Sequence, residues 1–329
     1  MARDIIPISE RRIAGGPTDQ MMRLFPLRHP WARDLWKVMR NNDWTVNEVD
    51  FSRDIKDYKM LTPAEKTMYN RALAFLSNLD GIQFNNLTLN IGRYITSPEV
   101  SMLIARQAYE EANHVDAYEG QIEAICDDPQ AIYEMFAVDD VLGDKNEFIL
   151  RQSQILGDQY TDENFALAVV ANILLEGVYF HSGFLPFYVL ARNGVMLGSA
   201  DNIRYIQRDE TTHKYLFLNI WETIKIETPH VFTPEFFKKV RELIEVSVEL
   251  EVTWGKYIIS GGVLGISDAM VEGHIKTLAD DVAVKLGLES IYNVQNPVPW
   301  FKSFSNINGE EANFFETKVK SYAKNGLDW

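Results

Sequence analysis

Two copies of a Glu-x-x-His sequence, Glu111 to His114 and Glu210 to His213, lie in long stretches of apolar periodicity with no proline or glycine close to either motif. On a helix the three-residue spacing places a carboxylate and an imidazole on one face, one turn apart, so both reach the same metal pair. Each stretch follows a segment carrying one more candidate carboxylate, Asp80 or Glu176. Four hard oxygen donors with two imidazoles suit iron or manganese and tolerate their high-valent states, whereas thiolates would be oxidised or would select softer metals. Packed together without cations, such acids would repel and raise one another's pKa. The inventory implies a site for two metal ions.

With six His and 25 Glu in 329 residues, chance supplies roughly half a Glu-x-x-His match, so one copy alone would mean little. A third copy, Glu227 to His230, contains Pro229 and sits where the chain must leave a helix, so it cannot present both side chains on one face. The other two gain their weight from the partner acids. This layout, one acid from each of two helices and a Glu-x-x-His from each of two others, resembles ferritin-like di-iron and di-manganese carboxylate proteins.

The elements that must position these residues are long helices in two hairpins. Thr62, Pro63 and Glu65 form a capping-box start with proline at the first helical position, which predicts a helix to about Gly92. Ser97 and Pro98 start the next. Asp80 lies 12 residues before the turn and Glu111 13 after Pro98, so at ~1.5 Å per residue they meet at nearly one level. The second hairpin starts at Thr161, turns at Asn193-Gly194, and takes Ser199 as its next cap. Glu176 is about 17 residues from that turn and Glu210 about 11 from the cap. This poorer match calls for an irregular helix, and Pro186 is the expected kink. Further helices are expected over 30–42, 130–157, 234–259 and 268–286.

The composition, 46% hydrophobic with seven Trp, fourteen Tyr and eighteen Phe, predicts a soluble, mostly helical, all-α protein with a core large enough to bury a polar site. A net charge of −15 argues against a nucleic-acid surface, and no apolar run reads as long and uncharged enough to span a membrane. "MARDIIPISERR" lacks the apolar core of a secretory signal, so the cytoplasm is the expected location. Cys126 is the only cysteine and reads as a buried small apolar residue, unable to form an internal disulfide or dithiol. The expected layout is an irregular arm over 1–29, a ferritin-like di-metal domain over 30–304, and a flexible polar tail over 305–329.

Beyond the ligand set, "WTVNEVDFSRD", "NLDGIQ", "EEANHVDAY", "LLEGVYFHSGF", "RDETTH", "NPVPW" and "NFFETKVKSYAKNGLDW" resemble, in wording and order, the small radical-generating subunit of class I ribonucleotide reductase. The resemblance spans about residues 25 to 329. It implies that Asp80, Glu111 and His114 hold one metal and Glu176, Glu210 and His213 the other, with some carboxylates bridging. Tyr118, one turn after His114, stands where that family carries its radical tyrosine. Phe180, Phe184 and Ile206 correspond to the apolar pocket that shields it. Trp44 and Asp209 match the pair linking the metal-bound histidine, here His114, to the surface. Glu110 is off the ligand face, and so is His181, five residues from Glu176.

"EGVYFHSGF" and the C-terminal wording look most like chlamydial-type members, which use a manganese/iron centre and carry Phe where this chain has Tyr118. Di-iron with a tyrosyl radical is the favoured implication, with manganese/iron as direct oxidant and di-manganese left open. Tyr205 matches a tyrosine that relays an electron during activation in those members. The resemblance further implies a homodimer that oxidises a cysteine in a separate large subunit, with Tyr322 as relay between subunits and Leu327 to Trp329 as docking peptide. The single Cys126 agrees with that division of labour, since ribose reduction needs a thiyl radical and a dithiol. Two rivals are a self-contained di-metal oxidase, which needs its own substrate cavity, and a ferritin-like storage protein, which needs only a short four-helix unit.

Overall fold

The computed structural model describes residues 5–157 and 159–305, and among these every regular element is helical, with one isolated antiparallel bridge between Ala14 and Ile95. An irregular arm leads to α1 (Pro30–Asn41) and the short α2 (Asp54–Met60). Two long antiparallel hairpins follow. The first pairs α3 (Pro63–Asn85) with α4 (Pro98–Ile125). Thr62 Oγ1 accepts from the Glu65 amide at 3.3 Å while Glu65 Oε2 accepts from the Thr62 amide at 2.8 Å, the expected capping box. Past Asn85 the helix continues as a π-turn, Asn86–Ile91, so the helical run ends where the sequence places it.

Residues 130–157 are not one helix. Asp128 caps α5 (Pro129–Tyr133) and Asp139 caps α6 (Asp140–Ser153), accepting from the Leu142 amide at 3.1 Å. Two cap-forming acids eleven residues apart divide what the apolar pattern alone joins. The second hairpin pairs α9 (Leu197–Glu227) with a helical run made of α7 (Asp162–Leu174), a π-turn (Leu175–Tyr179) and α8 (Phe180–Arg192). The irregularity that the spacing of Glu176 demands therefore falls on Glu176 itself, and α8 runs on through Pro186. A π-turn inserts an extra residue and re-aims the side chains it carries. The 162–192 run is long and apolar enough to cross a membrane, against the sequence reading, but 89% of its apolar window is buried inside the protein. It is the core helix.

Ser199 is not the cap of α9. Met196 precedes the helix in a left-handed conformation (φ 58°) with no side-chain cap, and the cap is supplied by α2. The buried Asp54 accepts from the Gly198 amide at 3.0 Å, the Ser199 amide at 2.6 Å and the Ser199 hydroxyl at 2.7 Å. A Cβ at Gly198 would stand 2.3 Å from the Asp50 carbonyl oxygen, so only glycine fits this approach. The remaining helices, α10 (Pro234–Ile258), α11 (Asp268–Lys285) and α12 (Phe301–Ser305), pack around the two hairpins. The divergent third motif splits as its proline requires. Glu227 turns to His29 and the Ile13 amide, pinning the N-terminal arm, while His230 lies exposed beside Asp162.

Candidate metal centre

Four helical elements each present a face to one buried point. Asp80 comes from α3, Glu111 and His114 from α4, Glu176 from the π-turn, and Glu210 and His213 from α9, all with no solvent exposure. His114 Nδ1 lies 3.0 Å from Asp80 Oδ1, 3.1 Å from Glu210 Oε1 and 3.6 Å from Glu111 Oε2. His213 Nδ1 lies 2.8 Å from Glu210 Oε2, 3.2 Å from Glu111 Oε1 and 3.7 Å from Glu176 Oε2. Two sets of ligand atoms result, Asp80, Glu111, His114, Glu210 and Glu111, Glu176, Glu210, His213, each set within 4.8 Å. Glu111 and Glu210 belong to both sets, the arrangement of bridging carboxylates.

The donor set fits a pair of cations on grounds of its own. Asp80 Oδ2, Glu111 Oε2, Glu176 Oε2 and Glu210 Oε1 are buried with no hydrogen bond. Burying unpaired anionic oxygens costs several kcal/mol each unless a positive charge meets them. Without cations, protons would have to fill that role. Burial raises Asp80 and Glu176 well above the usual carboxylate range. Burial works against charge on the two imidazoles, yet Glu210 beside His114 and Glu111 beside His213 hold both well above the ordinary histidine value. Burial also acts to raise Glu111, but the His213 and His114 charges win and pull it to about 2.

Behind each imidazole stands a second carboxylate, and the two are cross-paired. His114 Nε2 lies 3.3 Å from Oδ2 of Asp209, the residue before Glu210, and His213 Nε2 lies 2.9 Å from Oε2 of Glu110, the residue before Glu111. Trp44, nearly buried, donates from Nε1 to Asp209 Oδ2 at 2.7 Å and stacks on Tyr205 with ring centroids 5.0 Å apart. Tyr118 is buried with no hydrogen bond at its hydroxyl, and burial together with Asp80, Glu210 and Glu111 keeps it a neutral phenol. Phe180, Phe184 and Ile206 are fully buried, the two rings 6.2 Å apart. His181 turns Nδ1 to the Glu176 carbonyl oxygen at 2.8 Å, away from the ligand atoms, and burial drops its pKa to about 3. Cys126 is buried, its thiol pushed up to about 12. Tyr322 and Leu327 to Trp329 lie outside the described residues.

Sequence reasoning missed the amides that hold the carboxylates. Gln107 Nε2 donates to Glu111 Oε1 at 3.0 Å and Glu176 Oε1 at 2.8 Å, and Gln83 Nε2 donates to Glu176 Oε1 at 2.5 Å and Asn172 Oδ1 at 3.0 Å. A signal existed: Gln107 and Asn172 each precede a ligand by four residues and Gln83 follows one by three, so all share a ligand face. A small cavity lined by Asn86, Asn172, Leu175 and Tyr179 adjoins these amides, and its volume is about 10 Å³.

A family model for the ribonucleotide reductase small chain matches residues 21–297. The sequence is 36% identical to the ribonucleoside-diphosphate reductase subunit beta of Treponema pallidum, over 97% of this chain and 92% of that one. Against the subunit of the same name from Chlamydia pneumoniae the identity is 30%, over 98% and 96%. The R2 subunit of ribonucleotide reductase from Clostridium botulinum is 34% identical, with a TM-score of 0.87 covering 90% of this chain and 95% of that one.

Proposed function

This chain belongs to the ribonucleotide reductase small-chain family, and from that premise we propose that it is the metal-and-radical subunit of a ribonucleoside-diphosphate reductase. It works as a homodimer and passes an oxidising equivalent to a cysteine of a separate large subunit, where the ribonucleotide is reduced. Bound at the centre, two ions of iron, of manganese, or one of each supply the oxidising power. Di-iron is the favoured pair, because Tyr118 is present to carry a radical. Asp80, Glu111 and His114 would hold one ion and Glu176, Glu210 and His213 the other, with Glu111 and Glu210 near enough to both to be shared.

The observation that carries this reading is the line from His114 through Asp209 to Trp44. An imidazole that turns one nitrogen to the ligand carboxylates offers the other to Asp209, and Asp209 accepts from an indole stacked on Tyr205. Asp209 fixes the orientation of His114 and gives the centre an oxidisable aromatic neighbour. A self-contained oxidase needs none of this and needs instead a substrate cavity, whereas about 10 Å³ beside the site holds roughly one water. Trp44→Phe keeps the ring and removes the hydrogen bond to Asp209. The variant is expected to bind two metals but to fail in generating the oxidised centre and in ribonucleotide reduction with the large subunit. Full turnover by Trp44→Phe would refute the relay.

A further inference from the structure

The cross-pairing leaves one arm of the centre without a role. On the His114 side the outer carboxylate, Asp209, ends on Trp44. On the His213 side the outer carboxylate, Glu110, ends on a cation: Arg106 donates from Nε to Glu110 Oε1 at 2.8 Å. Arg106 itself is held by two further bonds to the end of α1 and the residues after it, to the Met39 carbonyl oxygen at 3.1 Å and Asp43 Oδ1 at 2.9 Å. The mirror arm is tied to the same segment, because Arg208 lies 3.5 Å from Asp209 and donates to the Asn42 carbonyl oxygen. Both outer carboxylates are thus anchored on residues 39–44. A guanidinium lies beside each of them, and they differ in that Asp209 also accepts from an oxidisable indole, whereas Glu110 takes its hydrogen bond from the guanidinium itself.

We propose that Arg106 is the positioning residue of the His213 half of the centre, the counterpart of Trp44 on the His114 half. The inference rests on the two-metal reading above. With Nε of its planar fork on Glu110 and Nη2 on the Met39 carbonyl oxygen and Asp43, Arg106 leaves Glu110 one orientation. Glu110 Oε2 then faces His213 Nε2, which places the Nε2 proton there and leaves Nδ1 directed at Glu111, Glu176 and Glu210. The arm sets the geometry and affinity of one metal position without offering a side chain that can be oxidised. Of the two arms, the one through Asp209 is the one that meets an oxidisable ring, Trp44.

Anaerobic titration with Mn(II), following the unbound ion by electron paramagnetic resonance, tests this without reference to activity. The unaltered protein must bind two Mn(II) per chain; fewer would defeat the two-metal reading itself, not the role of Arg106. Arg106→Met is expected to weaken one of the two positions by roughly ten- to hundred-fold, the usual consequence of losing an outer partner of a metal-binding histidine, and to leave the other unchanged. Arg106→Lys, which keeps a charge against Glu110, restores part of the loss. Asp43→Asn, which leaves the Arg106 to Glu110 contact intact, keeps both affinities. A variant Arg106→Met that melts earlier but binds both ions as tightly as the unaltered protein would show that Arg106 only ties α1 to α4, and the proposal falls. Should Arg106→Met fail to fold, Arg106→Gln carries the test: both ions held as tightly as by the unaltered protein overturns the proposal, and selective weakening of one upholds it.

Discussion

His114 and His213 face each other across the core with ring centroids 5.9 Å apart, and both turn Nδ1 to the same two carboxylates, Glu111 and Glu210. Asp80 approaches only the first imidazole and Glu176 only the second. Carboxylates shared by both imidazoles and those facing one alone are therefore distinguishable in the structure. Glu210→Ala removes an oxygen donor from both positions and is expected to abolish loading of both ions. Asp80→Ala removes one terminal donor and is expected to reduce loading to about one ion per chain, since one complete set remains. Elemental analysis of protein loaded with iron or manganese checks both; two ions retained by Glu210→Ala would exclude a bridging role.

Metal uptake must displace protons. His114, His213, Asp80 and Glu176 all have folded-state pKa values above their ordinary ones, so between about pH 4 and the raised values the metal-free folded chain binds more protons than the unfolded chain. The sign follows. The two histidines contribute stability fully present below ~6.5 and lost as pH rises through their raised values, and the two buried acids penalise the fold increasingly over the same rise. Glu111, held at about 2, acts in the opposite direction only in strong acid. Metal-free protein is expected to lose melting temperature as pH is raised from 6 to about 9, metal-loaded protein much less, and loading to release protons into a weakly buffered solution. A metal-free melting temperature that rises over this range would contradict the proton-filled site.

The Glu-x-x-His faces, the capping box at Thr62 and the levels of Asp80 and Glu111 were legible because each depends on spacing within one helix. What stayed hidden depends on contacts between helices. Nothing local to "LLEGVY" announces a π-turn; there the chain closes on α9 and α11, with a Cβ at Gly177 falling 2.9 Å from Lys214 Cδ. The cap of α9 comes from Asp54, more than a hundred residues away in sequence, and the pairing of Glu110 with His213 is a property of two helices together, while that of Asp209 with His114 came from the family resemblance and not from spacing. Gln83, Gln107 and Asn172 were readable in principle by extending each ligand face one turn.

Asp54→Ala removes three hydrogen bonds from the start of the helix that carries Glu210 and His213. A lost cap costs about 1–2 kcal/mol, and this one is buried, so the upper end is expected. A lower urea midpoint with an unchanged slope would report it. Ser199→Ala, which loses only the hydroxyl contact, is expected to cost less, and equal losses would return the cap to Ser199.

Tyr118 sits among the charges of Asp80, Glu210 and Glu111 with its hydroxyl unpaired. Tyr118→Phe keeps the ring in the core and is expected to retain two metals while losing any tyrosyl signal from the oxidised protein. Electron paramagnetic resonance on the two proteins, loaded with iron and with manganese and iron together, reads this directly. A variant that still supports full ribonucleotide reduction would show that the metal pair stores the oxidant and that Tyr118 is a core residue.

If the oxidant is generated between four buried helices while the ribonucleotide sits on another chain, the oxidising equivalent must leave through relay side chains and the partner must grip an accessible segment. Residues 305–329 carry the proposed relay, Tyr322, and the proposed apolar anchors, Leu327 and Trp329, within a polar sequence. Deleting 322–329 is expected to leave metal content and the oxidised centre unchanged and to abolish both binding to the large subunit and turnover with it. Tyr322→Phe separates the two functions: binding persists, and turnover stops because phenylalanine is far harder to oxidise than tyrosine. Full activity of the truncated chain, with the large subunit or alone on a small substrate, would remove the tail from the mechanism and favour a self-contained oxidase.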